Sequence, residues 1–249
     1  MNVTIKSPLE IDKMKVAGGI VRDTLLLAEE KIRIGMSTKF LNNIIHDFII
    51  RCGAEPSFLN YNGYPASACI SVDDVVVHGI PSDDIIIQEG MIVSVDVGAV
   101  KNGYHGDAAR TFLIGNVSPE KEKLVTVTRE CFFEAFKILK EGATIGDIGN
   151  AVYQHATING YGVVREMIGH GIGAHMHEPP DVPNYGIKGH GLKLLSGMTI
   201  AIEPMINLGT HKILFNKNGW AVSTADGKPS AHYENTVVIT KEGAEILTL

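Results

Sequence analysis

Shifted by 107 residues, the chain lies on top of itself. The shift carries Arg22 onto Arg129, Ala28 onto Ala135, Gly35 onto Gly142 and Gly53 onto Gly160. It also carries Gly90-Met91 onto Gly197-Met198, and Asp96 onto Glu203. Single glycine matches are weak, but one offset held across two helical stretches and a strand constrains the fold strongly. It implies two similar halves, about 11–113 and 118–240, each a pair of helices followed by a β-hairpin, related by an approximate two-fold axis. Striped helices and one-faced strands bury their apolar sides together when strands form the inner layer and helices the outer one. The expectation is one α/β (α+β) domain over residues 1–249, with an inner antiparallel sheet and outer helices.

Local signals agree with that plan. Ser7-Pro8-Leu9-Glu10 is a helix start, with Ser as N-cap, Pro in the first turn and Glu at the third position. From there to about Ile32 the apolar residues follow a helical period, and Gly35 breaks it. Ser37-Thr38 caps a second helix with Leu41, Ile44, Ile45, Phe48 and Ile49 on one face, ending near Gly53. A loop-rich stretch, Ser57 to Ala68, precedes strand candidates at Ala68–Ser71 and Val75–Val77. Two further helices are expected over Glu120–Lys140 and Ile145–Asn159, and the C-terminal third is strand-like again. With 45% hydrophobic residues the chain has enough apolar material for a sizeable core.

The hairpin in the first half carries an unusual feature. Met91 to Val97 is an apolar strand, Lys101-Asn-Gly103 a turn, and Tyr104 to Leu113 the returning strand, with Asn-Gly a strong hairpin signal. Asp96 near the end of the first strand then faces Asp107 on the second. Buried together, two carboxylates repel and lose hydration, so they persist only if protonated, paired or holding a cation. Taken alone, the pair is equally compatible with a solvated hairpin mouth. The repeat changes that balance: Glu203 and Glu234 belong to the second hairpin, 31 positions apart where Asp96 and Asp107 are 11 apart. Across the pseudo-axis, four carboxylates share one cleft. Ile168-Gly-His-Gly-Ile-Gly173 supplies a neutral donor in His170, framed by glycines that let backbone approach closely. This oxygen-rich set suits a pair of divalent ions such as Mn, Fe or Co better than a thiolate zinc site. Two such ions would lower the pKa of a shared water and orient a carbonyl for attack.

Val95-Asp96-Val-Gly98, Gly106-Asp107-Ala-Ala-Arg-Thr111, Gly169-His170-Gly171-x-Gly173, Ala201-Ile-Glu203-Pro204-Met205 and Tyr233-Glu234-Asn-Thr236 follow one another along the chain. In order and spacing they resemble the successive motifs of the type I methionine aminopeptidases, over nearly the whole length. The resemblance implies the pita-bread fold, a duplicated α/β structure around a dinuclear metal cleft. It implies Asp96, Asp107, His170, Glu203 and Glu234 as ligands of two divalent ions (Co, Mn, Fe, Zn or Ni), with Asp107 and Glu234 bridging. The implied activity is removal of the initiator methionine from nascent proteins whose second residue is small. On the same resemblance, a metal-bridging water or hydroxide would attack the scissile carbonyl, with Glu203 helping to take its proton. His78 and His177 match the family's two non-ligand histidines, contacting the scissile amide nitrogen and the carbonyl oxygen. As lone histidines they would otherwise read as a structural and a surface residue.

Methionine is long, flexible and polarizable, so its pocket should combine aromatic walls with soft atoms. Tyr61, Tyr64, Cys69 and Trp220 occupy the family's pocket positions, and His78 and His177 border it. Phe58 stands where a small Cys is common, and Met176 where an aromatic is usual. Asn62, His175, His232 and Asn235 also depart from the family's pattern, and none of them is an implied ligand.

Two other readings carry weight. Proline-directed aminopeptidases and prolidases share the fold but typically add a large N-terminal domain, whereas only a short helix precedes the fold here. A non-catalytic binding protein on this fold would usually have lost a ligand, and all five are present. The helical insertion of type II methionine enzymes is missing, since His170 and Glu203 are only 33 positions apart. A net charge of −6 argues against nucleic-acid binding. Three cysteines, and an N-terminus without the features of a signal peptide, fit a cytoplasmic protein. No apolar run approaches a membrane span. The partners expected are peptide and nascent-chain N-termini, with the ribosome a candidate docking site and a monomer the expected state.

Overall fold

A computed structural model describes residues 3–249. The first half comprises α1 (Pro8–Lys31), α2 (Thr38–Arg51), β1 (Glu55–Pro56), β2 (Cys69–Val72), β3 (Val75–Val77), β4 (Ile92–Lys101) and β5 (Tyr104–Leu113). The second brings α3 (Pro119–Phe136), α4 (Ile145–Ile158), β6 (Gly162–Val163), β7 (Gly169–Gly171), β8 (Glu178–Val182), β9 (Thr199–Ile202) and β10 (Met205–Asn207). It continues through β11 (Ile213–Phe215), β12 (Val222–Thr224), β13 (Ser230–His232), β14 (Asn235–Ile239) and β15 (Ala244–Ile246).

The capping chemistry forms as written in the sequence. The Ser7 hydroxyl accepts from the Glu10 amide, and the Glu10 carboxylate accepts from the Ser7 amide at 2.8 Å. Ser37 and Thr144 cap α2 and α4, and these helices lie 107 positions apart along the chain. Hydrogen bonds recur at the same offset. Gly35 N–H donates to Ile87 C=O at 2.8 Å, and Gly142 N–H to Leu194 C=O at 2.9 Å. Both glycines sit at positive φ, 86° and 88°, where a side chain would be strained. α3 stops at Phe136, four residues short of the expected end, where tighter turn bonds such as Leu139 N–H to Phe136 C=O take over.

Every strand pairing is antiparallel among the described residues, but the inner layer is divided among four sheets. β4 pairs with β1, β2 and β5, while β15-β14-β9-β7-β8 forms the largest sheet. Period-two alternation sorts their faces. Val93, Val95 and Val97 pack with Val21, Leu25, Leu41 and Ile45 from α1 and α2. Ile200, Ile202, Val237 and Ile239 pack with Leu124, Phe132, Ile148 and Val152 from α3 and α4. Each half therefore has its own helix-backed core, and Asp96 alternates away from it. The extra length of the second hairpin is used by β11 and β12, and β12 pairs with β3 of the first half.

The register corrects one expectation. Asp96 pairs with Ala109, and Asp107 with Gly98, so the two aspartates are diagonal neighbours rather than directly opposed. The cause is the turn. Asn102 and Gly103 both take positive φ, 54° and 78°, which makes a two-residue loop and sets Lys101 opposite Tyr104. Both strands extend to that turn, so the first runs to Lys101 rather than stopping at Val97.

No helix of the described residues is long and apolar enough to cross a membrane.

Candidate metal centre

The two halves are sewn together where the carboxylates lie. Glu234 N–H donates to Ala109 C=O at 3.0 Å, just before β14 begins. Asp107 N–H donates to the Thr236 hydroxyl at 3.0 Å, and that hydroxyl donates back to Asp107 C=O at 2.9 Å. These bonds carry β5 and β14 side by side across the pseudo-axis, which brings Asp107 and Glu234 to one cavity. Asp96 enters it from β4 and Glu203 from the residue after β9.

His170 comes from the middle of β7, between β8 and β9. The flanking glycines are needed for this close packing. A Cβ on Gly169 would stand 2.4 Å from Ala201 O, and one on Gly171 only 2.3 Å from Pro179 O. The His170 Nδ1–H donates to Gly171 C=O at 2.8 Å, which leaves Nε2 as a bare lone pair. That nitrogen lies 3.8 Å from Asp107 Oδ2 and 3.8 Å from Glu203 Oε1. Donor atoms of Asp107, His170 and Glu234 all fall within 4.8 Å of one another.

Electrostatics mark this cluster as a candidate cation site. Burial raises the Asp96 carboxyl to about 7. Burial, followed by the charge of neighbouring carboxylates, holds Asp107, Glu203 and Glu234 well above their usual range. Asp96 Oδ1 and Asp107 Oδ1 are buried without a hydrogen-bond partner. Burial, then the nearby His177 ring, pushes His170 down to about 3, so it presents a neutral donor. Two buried and two half-buried carboxylates, two of them with orphaned oxygens, and one neutral imidazole fit divalent cations of the oxygen- and nitrogen-preferring kind.

The cavity has a volume of about 440 Å³. All thirteen residues expected at the site line it, together with Asn62. Phe58, Tyr64, Cys69 and Met176 form a buried apolar cluster, against which Tyr61 and Trp220 pack. The Tyr64 hydroxyl donates to Gly79 C=O at 2.9 Å, so its ring is a fixed wall. It meets Trp220 edge-on at a centroid distance of 5.1 Å. His177 Nδ1 is bonded to the Tyr61 hydroxyl at 2.8 Å, and its ring lies 4.1 Å from that of His170. His78 holds φ at 58°, an uncommon conformation for this residue type, and its ring meets Trp220 at 6.4 Å. Backbone strain concentrates at working sites, and no sequence pattern announces it.

One neighbour escaped the sequence reading. His232, set aside there as a departure from the pattern, is buried with Nε2 3.8 Å from Glu203 Oε2 and 3.9 Å from Glu234 Oε2. It lies two positions before Glu234, and on extended chain such residues share a side. That was the available signal.

Known proteins are similar to this chain over its whole length. The methionine aminopeptidase of Clostridium acetobutylicum is 49% identical over 247 residues, 99% of each chain. The crystal structure of methionine aminopeptidase from Rickettsia prowazekii superposes with a TM-score of 0.98 at 38% identity, over the full length of both chains. A prolidase from Pyrococcus furiosus shares the fold at a TM-score of 0.81 and 26% identity, with 98% of this chain matched to 65% of that longer one. The candidate donor set, the pita-bread architecture and these likenesses converge with a match of residues 12–241 to the sequence pattern of metallopeptidase family M24. The chain belongs to that family.

Proposed function

We propose that this protein is an aminopeptidase that removes N-terminal methionine, working as one catalytic unit over residues 1–249. The observation that carries the proposal is a cavity joining five metal-type donors to an aromatic- and sulfur-lined pocket. Full-length likeness to methionine aminopeptidases supports the same substrate.

Asp96, Asp107, His170, Glu203 and Glu234 would hold two divalent ions, with Asp107 and Glu234 shared between them. When bound, such ions supply Lewis acidity and lower the pKa of water. The remaining work belongs to the chain. Glu203 takes the proton of the attacking water. His177, oriented by the Tyr61 hydroxyl, and His78, fixed by its backbone, face the scissile amide and stabilise charge that develops there. Phe58, Tyr61, Tyr64, Cys69, Met176 and Trp220 receive the methionine side chain and exclude water from it. The ions are of the Co, Mn, Fe, Zn or Ni kind. The enzyme acts in the cytoplasm, as a monomer, on nascent-chain N-termini presented at or near the ribosome.

The test uses Met-Ala-Ser, Leu-Ala-Ser and a Gly-Pro peptide on the Mn- or Co-loaded protein, with and without chelator. Selective, chelator-sensitive cleavage of Met-Ala-Ser is expected. Rapid Gly-Pro cleavage with inert Met-Ala-Ser would transfer the assignment to the proline-directed relatives. No cleavage of any peptide would revive the binding-protein reading.

A further inference from the structure

His232 is 2% exposed, and its backbone is held on both sides by Thr111. Its N–H donates to Thr111 Oγ1 at 2.9 Å, and the Thr111 hydroxyl donates to its C=O at 2.8 Å. The backbone is thus fixed in place and the ring is enclosed, yet Nε2 is buried with no hydrogen-bond partner. An orphaned buried polar atom costs about 1–3 kcal/mol, so its presence calls for a reason.

The surroundings provide one. Nε2 points to the Oε2 edges of Glu203 and Glu234, at 3.8 and 3.9 Å. Both glutamates line the cavity and His232 does not, so the imidazole stands behind them. The opposite oxygen of Glu203, Oε1, lies 3.8 Å from His170 Nε2. Two imidazoles therefore flank one carboxylate, one at each oxygen. Carboxylates holding a cation are ionised and only accept, so in that state the nitrogen that serves both glutamates is the protonated one. At these separations a small rotation of either carboxylate makes the hydrogen bond.

We propose that His232 is a positioning residue of the metal centre, whose Nε2–H braces Glu203 and Glu234 from behind and turns their free oxygens toward the cation. The proposal rests on the metal reading given above. Partners of this outer kind tune affinity for a bound ion by about 10–100-fold when removed.

The experiment is calorimetric titration of Mn into metal-free protein, for the wild type, His232→Ala, His232→Gln and Asp107→Ala. His232→Ala is expected to weaken Mn binding by about 10–100-fold. His232→Gln keeps a side-chain N–H at similar reach and recovers most of the loss. Unchanged affinity in His232→Ala overturns the proposal, and a Gln variant as weak as Ala overturns the donor role. Should the Ala variant lose its near-UV dichroism, His232→Gln against His232→Leu decides the same question. Asp107→Ala separates the two levels of inference. If it loses Mn while His232→Ala does not, only the bracing role falls. If it binds Mn undiminished, the metal reading itself falls.

Discussion

Individual side chains near the cavity are held by contacts that can be cut singly. His177 has one side-chain hydrogen bond, from its Nδ1 to the Tyr61 hydroxyl at 2.8 Å, and desolvation pushes its pKa down, so a ring that favours the neutral form lines the cavity. A single donor aimed at developing negative charge is worth about 10²–10³ in kcat. His177→Ala should therefore reduce kcat on Met-Ala-Ser by that range with little change in Mn affinity, as steady-state kinetics and calorimetry would show. Gly98 is a second such point. A Cβ there would lie 2.8 Å from Phe58 Cε1, in the pocket wall, and 2.9 Å from Ser57 Cβ. Gly98→Ala should force the Phe58 ring inward, cost about 1–3 kcal/mol of stability by overpacking, and raise KM for methionine substrates. A variant with unchanged KM and melting temperature would mean the wall yields freely.

At the scale of elements, the segment ahead of α1 works as a strap on the loop that carries His177. Lys6 N–H donates to Gly197 C=O at 2.8 Å, and the Lys6 ammonium pairs with Glu178 Oε2 at 2.5 Å, both side chains nearly fully buried. Glu178 Oε1 accepts from the His175 amide at 3.0 Å, which pins the turn immediately before His177. Gly173 leaves room for this pair, since a Cβ there would stand 2.4 Å from Lys6 Cε. Lys6→Met removes one partner of a buried pair and should cost about 3–5 kcal/mol in denaturant unfolding. The pair also predicts a pH dependence. Burial pushes the Glu178 carboxyl up, but bonds from the His175 amide, Lys6 and Thr4 outweigh it and hold the group below its usual 4.5. A depressed acid contributes its stabilisation in full above the unfolded value and loses it as pH falls through the lower folded one. Glu178→Gln should flatten the stability profile in that acid window and leave its neutral-to-alkaline limb unchanged in slope. A wild-type slope at low pH would show that the pair carries no linkage.

The whole molecule is two helix-backed cores joined where β5 lies beside β14 and where Met14 of α1 packs on Ile172 and Val238, and the cavity sits on that seam. Each half has its own apolar core, but the carboxylates stay ionised together only with a counter-charge supplied between them. A bound cation should therefore tie the halves together. Adding Mn at about 100 times its dissociation constant stabilises by about 2.7 kcal/mol, which for a chain of this length raises Tm by roughly 5–10 °C. Differential scanning calorimetry with and without chelator measures it, and a Tm indifferent to Mn would contradict a cation at the seam.

The elements were legible because their signals are local. Ser7 and Glu10 announce a cap, Asn102-Gly103 a turn, and Val93, Val95 and Val97 a buried face, each within a few residues. The duplication was legible because a repeat copies glycines and ligands at one offset, and from it the cluster of Asp96, Asp107, Glu203 and Glu234 followed. Register was harder: which residue opposes Asp96 depends on how many residues the turn consumes, so the diagonal arrangement emerged only in three dimensions. The place of His232 depended on more still. Its role is set by the backs of two glutamates and by Thr111, 121 positions earlier in the chain. Sequence alone determined the type of fold and the donor inventory, since both rest on short-range chemistry repeated twice. Tertiary structure alone decided which oxygen faces which nitrogen, because those distances arise where two separately folded halves come to share one seam.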